Sequence, residues 1–309
     1  MIDFRLLVKA GVHFGHQTSR WNPKMAYYIW GYKNNTHLID VSKTAYQLEK
    51  AAQFLESTAA EGKPILWVGT KRAAQGIIEK VAKSLEMPYV THRWVGGTFC
   101  NYSQVKKSIT KLLHYVDVLA KADKVSFYTK KELNVFQKMV IRLEKNVGGI
   151  RSMKWPIGAI VIVDIIKEVS ALKEAAAMGI PVVALVDTNA DPSLVDYVIP
   201  ANDDAAQSID ILVDYLGQAA QRGKEVAMKK GKELVVEQEE KTAEEILPEL
   251  LVLQEEDAES GTAEENSENR KKMKSGGDEG KDTRQKSGQI KRDRPSTKGA
   301  PAMQQRKKK

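Results

Sequence analysis

Two uninterrupted runs of apolar, mostly β-branched residues constrain the fold of this chain more than any other feature. They are Ala159–Asp164 and Pro181–Asp187. A strand that is apolar at nearly every position is buried on both faces, as in parallel sheets that are covered by helices. A helical pattern over about residues 166–178, ended by Gly179, separates the two runs. This stretch therefore predicts two parallel strands joined by a helix.

Four shorter apolar runs alternate with helical patterns in the rest of the chain. They lie at residues 37–41, 64–69, 88–91 and 195–200. The last run is followed by the helix-capping residues Asn202–Asp204 and a long closing helix. Alternation of this kind is typical of α/β domains, in which helices cover both faces of a parallel sheet.

About forty residues between Tyr102 and Asn146 break this alternation, because they contain no strand pattern. Apolar residues are instead spaced three and four apart in two series: Val105, Ile109, Leu112, Val116 and Leu119, then Leu133, Phe136, Val140, Leu143 and Val147. Such spacing is typical of coiled coils. Thr129 and Glu132 match a capping box, which would start the second helix. The segment predicts an antiparallel helical hairpin with arms of roughly 25 Å, at about 1.5 Å per residue.

The composition changes after about Gly231, where aromatic residues disappear. Residues 232–269 carry fourteen acidic and two basic residues, and residues 270–309 are basic. Such a sequence cannot bury enough apolar surface to offset the entropy of ordering. We therefore expect an α/β domain at 1–102 and 147–231, an inserted hairpin at 103–146 and a disordered tail at 232–309. Within the tail, the apolar run Ile246–Leu253 has two open interpretations, a short docking segment or a transient local cluster.

The positive charge lies in the part of the chain that is expected to fold. The net charge is +8, and residues 1–231 hold 31 basic and 22 acidic residues. A basic folded surface commonly binds nucleic acid or an anionic membrane. We expect no membrane partner, because no apolar stretch of about 18 residues is present. Cys100 is the single cysteine, and no signal peptide is recognisable, which predicts a reducing, cytoplasmic location.

Cations are interleaved with aromatic residues in the segments 20–33 and 93–102, and lysine dominates the predicted hairpin. Arginine can stack on exposed bases, and lysine can meet phosphates. The predicted RNA-binding residues are Arg20, Trp21, Asn22, Lys24, Lys33, Lys71, Arg72, Arg93, Trp94, Gly96, Gly97, Asn101, Lys106, Lys107, Lys111, Lys130, Lys131, Lys138, Arg142 and Lys145. The other interpretation is an aromatic core beside solvated charges, and it is favoured for the tryptophans. For Lys71 and Arg72, at the start of a predicted helix, the two interpretations are equally weighted.

Signals of catalysis are weak. Aspartates follow several predicted strands, and among them Asp187 and Asp203 are weak magnesium candidates, although caps and turns are the favoured interpretation. His13 and His16 are too few ligands for zinc. The glycine-rich patterns of nucleotide-binding loops are missing, which disfavours the rival interpretation of a Rossmann-type enzyme for a nucleotide or sugar phosphate. We expect no catalysis, no cofactor and no small-molecule substrate.

Several sequence blocks together resemble the family of the second protein of the small ribosomal subunit, in its bacterial type. They are Gly11–Met25, Thr36–Thr44, Arg93–Tyr102, Arg142–Ile150 and Ile180–Ile209, in family order. The resemblance covers nearly all of residues 1–230 but not the tail. It implies a flavodoxin-like, three-layer domain with a five-stranded parallel sheet and a protruding coiled-coil hairpin.

The resemblance also implies a non-enzymatic role in translation. Proteins of this family are structural constituents of the small subunit in the cytoplasm, and they contact ribosomal RNA between the head and the body. The implied partners are that RNA, neighbouring ribosomal proteins and, in some bacteria, the large S1-domain ribosomal protein. An RNA-binding adaptor that acts outside the ribosome is the remaining alternative.

Overall fold

The computed structural model describes residues 2–121 and 128–229. Its helices are α1 (Phe4–Lys9), α2 (Val41–Ala60), α3 (Arg72–Leu85), α4 (Tyr102–Lys121), α5 (Lys130–Val147), α6 (Val169–Ala177) and α7 (206–229). Its strands are β1 (Phe14–Gln17), β2 (Ile29–Lys33), β3 (Thr36–Ile39), β4 (Ile65–Val68), β5 (Tyr89–Val90), β6 (Ala159–Val163), β7 (Val182–Val186) and β8 (Tyr197–Pro200).

Five strands form an all-parallel sheet in the order β5-β4-β6-β7-β8. The two continuous apolar runs form β6 and β7, which are buried at every position. The prediction of an α/β domain with a parallel sheet is therefore confirmed. The strand order reverses between β4 and β6, and ligands of open α/β sheets bind at the carboxyl ends of strands at such a point.

The strands contribute side chains alternately to two hydrophobic cores. Trp67 of β4 and Val161 of β6 belong to a core that also contains buried residues of α2, α3 and α7. Leu66 and Ile160, one position earlier, belong to the other core with residues of α4, α5 and α6. This alternation follows from the two-residue repeat of a strand, and it explains why neither face of the strands is polar.

A second, three-stranded antiparallel sheet has the order β1-β3-β2, and the sequence analysis missed it. The apolar run at 37–41 supplies β3 of this sheet and does not join the parallel sheet. The turn before it is made by Asn34 and Asn35, whose φ angles are 49° and 58°. Two consecutive left-handed residues are typical of a tight hairpin turn, so the asparagine pair was the available signal.

Helices α4 and α5 contact each other, and both were predicted. The rings of Tyr115 and Phe136 stack with centroids 5.3 Å apart. The capping box is confirmed, since the Glu132 amide donates to Thr129 Oγ1 and the Thr129 amide donates to the Glu132 carboxylate. Leu112 is fully buried in the core that includes β4 and β6, whereas Val116, one turn further along the predicted seam, is 41% exposed.

Two predictions concern residues outside the described ranges. The joining segment of the predicted hairpin falls on residues 122–127, and the predicted tail, with its run Ile246–Leu253, begins at 232. Over the ranges that the structure covers, no helix is long and apolar enough to cross a membrane.

Candidate nucleic-acid interface

The loop after β5 is held to α6 by a single carboxylate. Glu174 accepts hydrogen bonds from Trp94 Nε1 at 3.1 Å, from the Gly97 amide at 2.8 Å and from the Phe99 amide at 3.0 Å. Gly97 has a φ of +84°, which favours glycine in this turn. Nothing in the sequence linked Glu174 to this loop, because the residues are about eighty positions apart.

Two predicted RNA contacts in this loop do not fit the geometry. Trp94 is only 7% exposed and packs edge-to-face on Phe99, so its ring faces are not free to stack on a base. The Gly97 amide already donates to Glu174, and it is therefore not available to a phosphate. The core interpretation of Trp94 is the one that agrees with the structure. Arg93, Gly96 and Asn101 are exposed.

Arg93 and Gly96 meet the end of α5 in a cleft of about 460 Å³. The lining residues are His92, Arg93, Trp94, Val95, Gly96, Arg142, Lys145 and Asn146. Both segments carry predicted RNA-binding cations, but the sequence does not show that these cations share one cavity.

The other cations of α4 and α5 form an exposed set. None of the following makes an ion pair with another described residue: Lys106, Lys107, Lys111, Lys130, Lys131, Lys138, Arg142 and Lys145. The acids of these helices are partly engaged, since Asp117 pairs with Lys121 at 2.7 Å and Glu132 caps α5. These helices therefore carry positive charge that nearby acids do not balance.

The predicted residues of the segment 20–33 fall into two groups. Arg20 and Lys33 are exposed, and Trp21 is 39% exposed with its ring 5.3 Å from His37. Asn22 and Lys24 are engaged internally. The Asn22 side chain accepts from the Lys24 amide at 3.0 Å, and Lys24 Nζ lies 2.7 Å from Asp191.

Lys71 lies at the β4–β6 reversal point and is surrounded by carboxylates. Its Nζ is 2.6 Å from Asp204, 2.7 Å from Asp203 and 3.4 Å from Asp164. A phosphate approaching this ammonium would meet three like charges, so we remove Lys71 from the predicted interface. Arg72, the next residue, is exposed at the first turn of α3.

This strand-end cluster shifts the pKa values of its members. Burial raises the pKa of Asp203 to about 6, and the Lys71 hydrogen bond opposes that rise. Burial lowers the pKa of Lys71, but its bonds to Asp203 and Asp204 outweigh that effect and raise it overall. His16 Nδ1 lies 3.0 Å from the Asp187 carboxylate, which raises the pKa of His16.

The magnesium candidates lie in this cluster but are already partnered. Oxygen and nitrogen atoms of His16, Asp203 and Asp204 lie within 4.8 Å of one another and could hold a cation. The Lys71 ammonium already supplies a positive charge among the same carboxylates. Asp187 is 1% exposed and faces His16. A magnesium site here therefore stays a prediction, and His16 is the cluster member that sequence spacing had not connected to the aspartates.

Comparison with known proteins agrees with the sequence resemblance. The family described as "Ribosomal protein S2" matches residues 7–223. "Small ribosomal subunit protein uS2" of a Nitratiruptor species is 42% identical over 271 residues, covering 88% of this chain and 100% of the relative. Its counterpart in Cytophaga hutchinsonii is 46% identical over 217 residues, 70% of this chain and 85% of the relative.

A third relative of the same name, from Wolinella succinogenes, is 42% identical over 227 residues and covers 74% of this chain and 83% of its own length. The matched region contains every described helix and strand from β1 to β8. The prediction that the chain is not an enzyme is confirmed by this match, because the matched family is that of a structural ribosomal protein. The chain belongs to the ribosomal protein S2 family.

Proposed function

We propose that this protein is a structural constituent of the small ribosomal subunit in the cytoplasm, where it binds ribosomal RNA at the head–body junction and supports translation. Membership of the family supports the place in the subunit. The observation that carries RNA binding is the set of eight exposed cations on α4 and α5 without ion-pair partners among the described residues. When these unpaired lysines and arginines contact phosphates, counterions that were condensed on the RNA are released. This release favours binding to a polyanion.

The architecture supports the same proposal. Helices α4 and α5 are taken as the arms of an antiparallel coiled-coil hairpin that is inserted into a flavodoxin-like, three-layer domain. Leu112 of α4 and Val147 of α5 are buried in the core that includes β4 and β6. The cations lie on the exposed surface of both helices, and a thin helical pair of this kind gains support when it lies against a large RNA. Neighbouring ribosomal proteins, with the large S1-domain protein as a candidate, complete the proposed partners.

The rival proposal of an enzyme in the β4–β6 crevice has no supporting observation. That crevice is where open α/β sheets bind ligands, but Lys71 and three aspartates fill it with an internal ion cluster.

The proposal is tested by changing Lys106, Lys107, Lys111 and Lys138 to glutamine in the full chain. Each lost phosphate contact should flatten the slope of log K against log salt by about 0.9, so roughly three units are expected if most of these residues touch phosphate. The measurement is affinity for small-subunit RNA at several salt concentrations.

The matched control changes four exposed lysines elsewhere, Lys50, Lys80, Lys173 and Lys229, and removes the same charge. An equal loss of slope in the control would mean that total charge, and not α4 and α5, drives binding. Co-sedimentation with small subunits in a sucrose gradient separates a ribosomal role from that of a free RNA-binding adaptor.

A further inference from the structure

The cleft between the β5–α4 loop and the end of α5 gathers positive charge without a counter-charge. Arg93 comes from the loop, and Arg142 and Lys145 come from α5. None of the three pairs with a carboxylate among the described residues. Like charges that converge on one cavity repel each other, so the arrangement is favourable chiefly when an anion enters.

The dipole of α5 explains only part of this arrangement. Cations in the last turn of a helix are stabilised by the partial negative charge there, and Lys145 is placed accordingly. Arg93 lies on a different segment, so its place beside α5 is not set by the sequence of that helix. Hydrogen bonds to Glu174 hold the loop that carries Arg93. The position of Arg93 beside the end of α5 is therefore fixed by the tertiary structure.

The volume and the lining of the cleft indicate which class of ligand it can bind. Its volume of about 460 Å³ falls among pockets that hold small organic groups, about 300–1,000 Å³. Trp94, Val95 and Gly96 give the cleft an apolar part beside its charged and polar residues. A bare phosphate needs no apolar lining, whereas a nucleotide presents a flat apolar base beside its phosphate.

We propose that this cleft binds one unpaired nucleotide of an RNA, with the base against Val95 and Gly96 and the phosphate on Arg93, Arg142 and Lys145. The inference rests on the proposed RNA-binding function and adds a preference for an extruded base. Bases within an RNA duplex are stacked and their edges are poorly accessible, so recognition of a base by a cleft requires a bulge, loop or end.

The test compares three RNA duplexes that differ at one position. One has a single-nucleotide bulge, the second has the same bulge without its base, and the third is fully paired. The full chain should bind the bulged duplex at least about fivefold more tightly than the other two, because burial of part of one base removes apolar surface from water. The binding of adenosine monophosphate and inorganic phosphate is measured alongside.

A steric variant separates the cleft from the surrounding charge. A Cβ added at Gly96 meets no atom within 4 Å, so Gly96→Leu can place a side chain at the cleft without changing charge or the neighbouring backbone. Gly76→Leu is the matched control, because Gly76 is equally open, exposed and not part of the cleft. Gly96→Leu should remove the preference for the bulged duplex and leave affinity for the paired duplex within about twofold, whereas Gly76→Leu should keep the preference.

Two variants that each remove one positive charge provide an independent measurement. Arg142→Gln removes a cation that lines the cleft, and Lys138→Gln removes one that lies one turn earlier on α5, outside the cleft. Both should weaken binding to the paired duplex similarly, but only Arg142→Gln should reduce the preference for the bulge.

The outcomes distinguish this inference from the proposed function. Equal affinity for all three duplexes, with a normal salt dependence, would overturn the nucleotide site and leave RNA binding intact. Tight binding of inorganic phosphate that Gly96→Leu does not alter would make the cleft a simple anion site and would also overturn the inference. Failure to bind any RNA would overturn both proposals.

Discussion

Lys71 illustrates how a residue with an apparent role in binding can instead be structural. Its side chain is 19% exposed and its ammonium lies among three carboxylates; the side chain of one of these, Asp203, is 3% exposed. The removal of one partner from a buried ion pair leaves a charge without compensation in a poorly solvated place. Lys24 makes a geometrically similar pair with Asp191, but both of its members are half exposed.

We predict that Lys71→Met destabilises the protein by about 3–5 kcal/mol at neutral pH, as expected when a buried pair is broken. Lys24→Met should cost at most about 1 kcal/mol, because water already screens the exposed pair. Urea unfolding at pH 7.5 measures both. Similar losses in the two variants would contradict a special role for burial at Lys71.

The raised pKa of Asp203 predicts a pH dependence with a definite sign. The folded pKa of about 6 exceeds the ordinary aspartate value of 3.8, so the folded state binds more protons between these values. The contribution of Asp203 to the free energy of unfolding is therefore fully present at low pH and is lost as pH rises from about 4 to about 6. Asp203→Asn should remove this decrease in the free energy of unfolding with rising pH.

The measurement is the difference in unfolding free energy between wild type and variant at each pH from 4 to 7.5. A flat difference across this window would show that the buried carboxyl of Asp203 does not titrate as stated.

Glu174 is the residue on which the loop around Arg93 depends. Its carboxylate accepts three hydrogen bonds from that loop, and a hydrogen bond to a charged group contributes about 1.5–3 kcal/mol. Glu174→Ala should therefore accelerate amide exchange at Gly97 and Phe99 by more than tenfold, while amides in β7 keep their protection. Unchanged exchange at both loop amides would rule out this anchoring role.

At the scale of elements, α4 is buried at its base and exposed further along. Leu112 is fully buried in the core that includes β4 and β6, whereas Val116 is 41% exposed. Leu112→Ala should cost about 2–5 kcal/mol, the range for a deep core truncation. Val116→Ala should cost less than about 1 kcal/mol, because little area is lost. Thermal unfolding of both variants checks this, and equal losses would contradict the placement of the core.

The elements with long, regular patterns were predictable from the sequence. The runs that form β6 and β7 are apolar at every position, and the three-four spacing marked α4 and α5. The small antiparallel sheet was missed because its strands are short, and because β1 and β2 do not alternate cleanly between buried and exposed positions.

The candidate site was less predictable because its members meet only through the fold. Arg93 and Arg142 are about fifty residues apart, and their shared cleft depends on how the β5 loop and α5 pack. Residue type alone also could not reveal that Lys71 and Trp94 are engaged internally. Exposure and pairing are properties of the tertiary structure, and they decide which cations are free for RNA.

At the scale of the whole molecule, we predict that residues 1–231 fold without the rest of the chain. The prediction rests on the two cores, which are formed by described residues up to Ala220. The melting temperature of the shortened chain should change by less than about 2–4 °C, the shift that 1 kcal/mol produces at this size. A chain that ends at residue 211 loses Leu212, Val213 and Leu216 from the first core and should not fold.

The neighbouring strands β4 and β6 have a consequence for the order of folding. They lie side by side in the sheet, yet about ninety residues separate Val68 from Ala159. Early pairing of α4 with α5 would bring Val105 close to Val147 and shorten the effective loop by nearly half. Each halving lowers the entropy cost of closure by about 0.6 kcal/mol, a gain of nearly threefold in rate if the pairing precedes the transition state. The same helices that present cations to RNA would thus increase the rate at which β4 and β6 pair during folding.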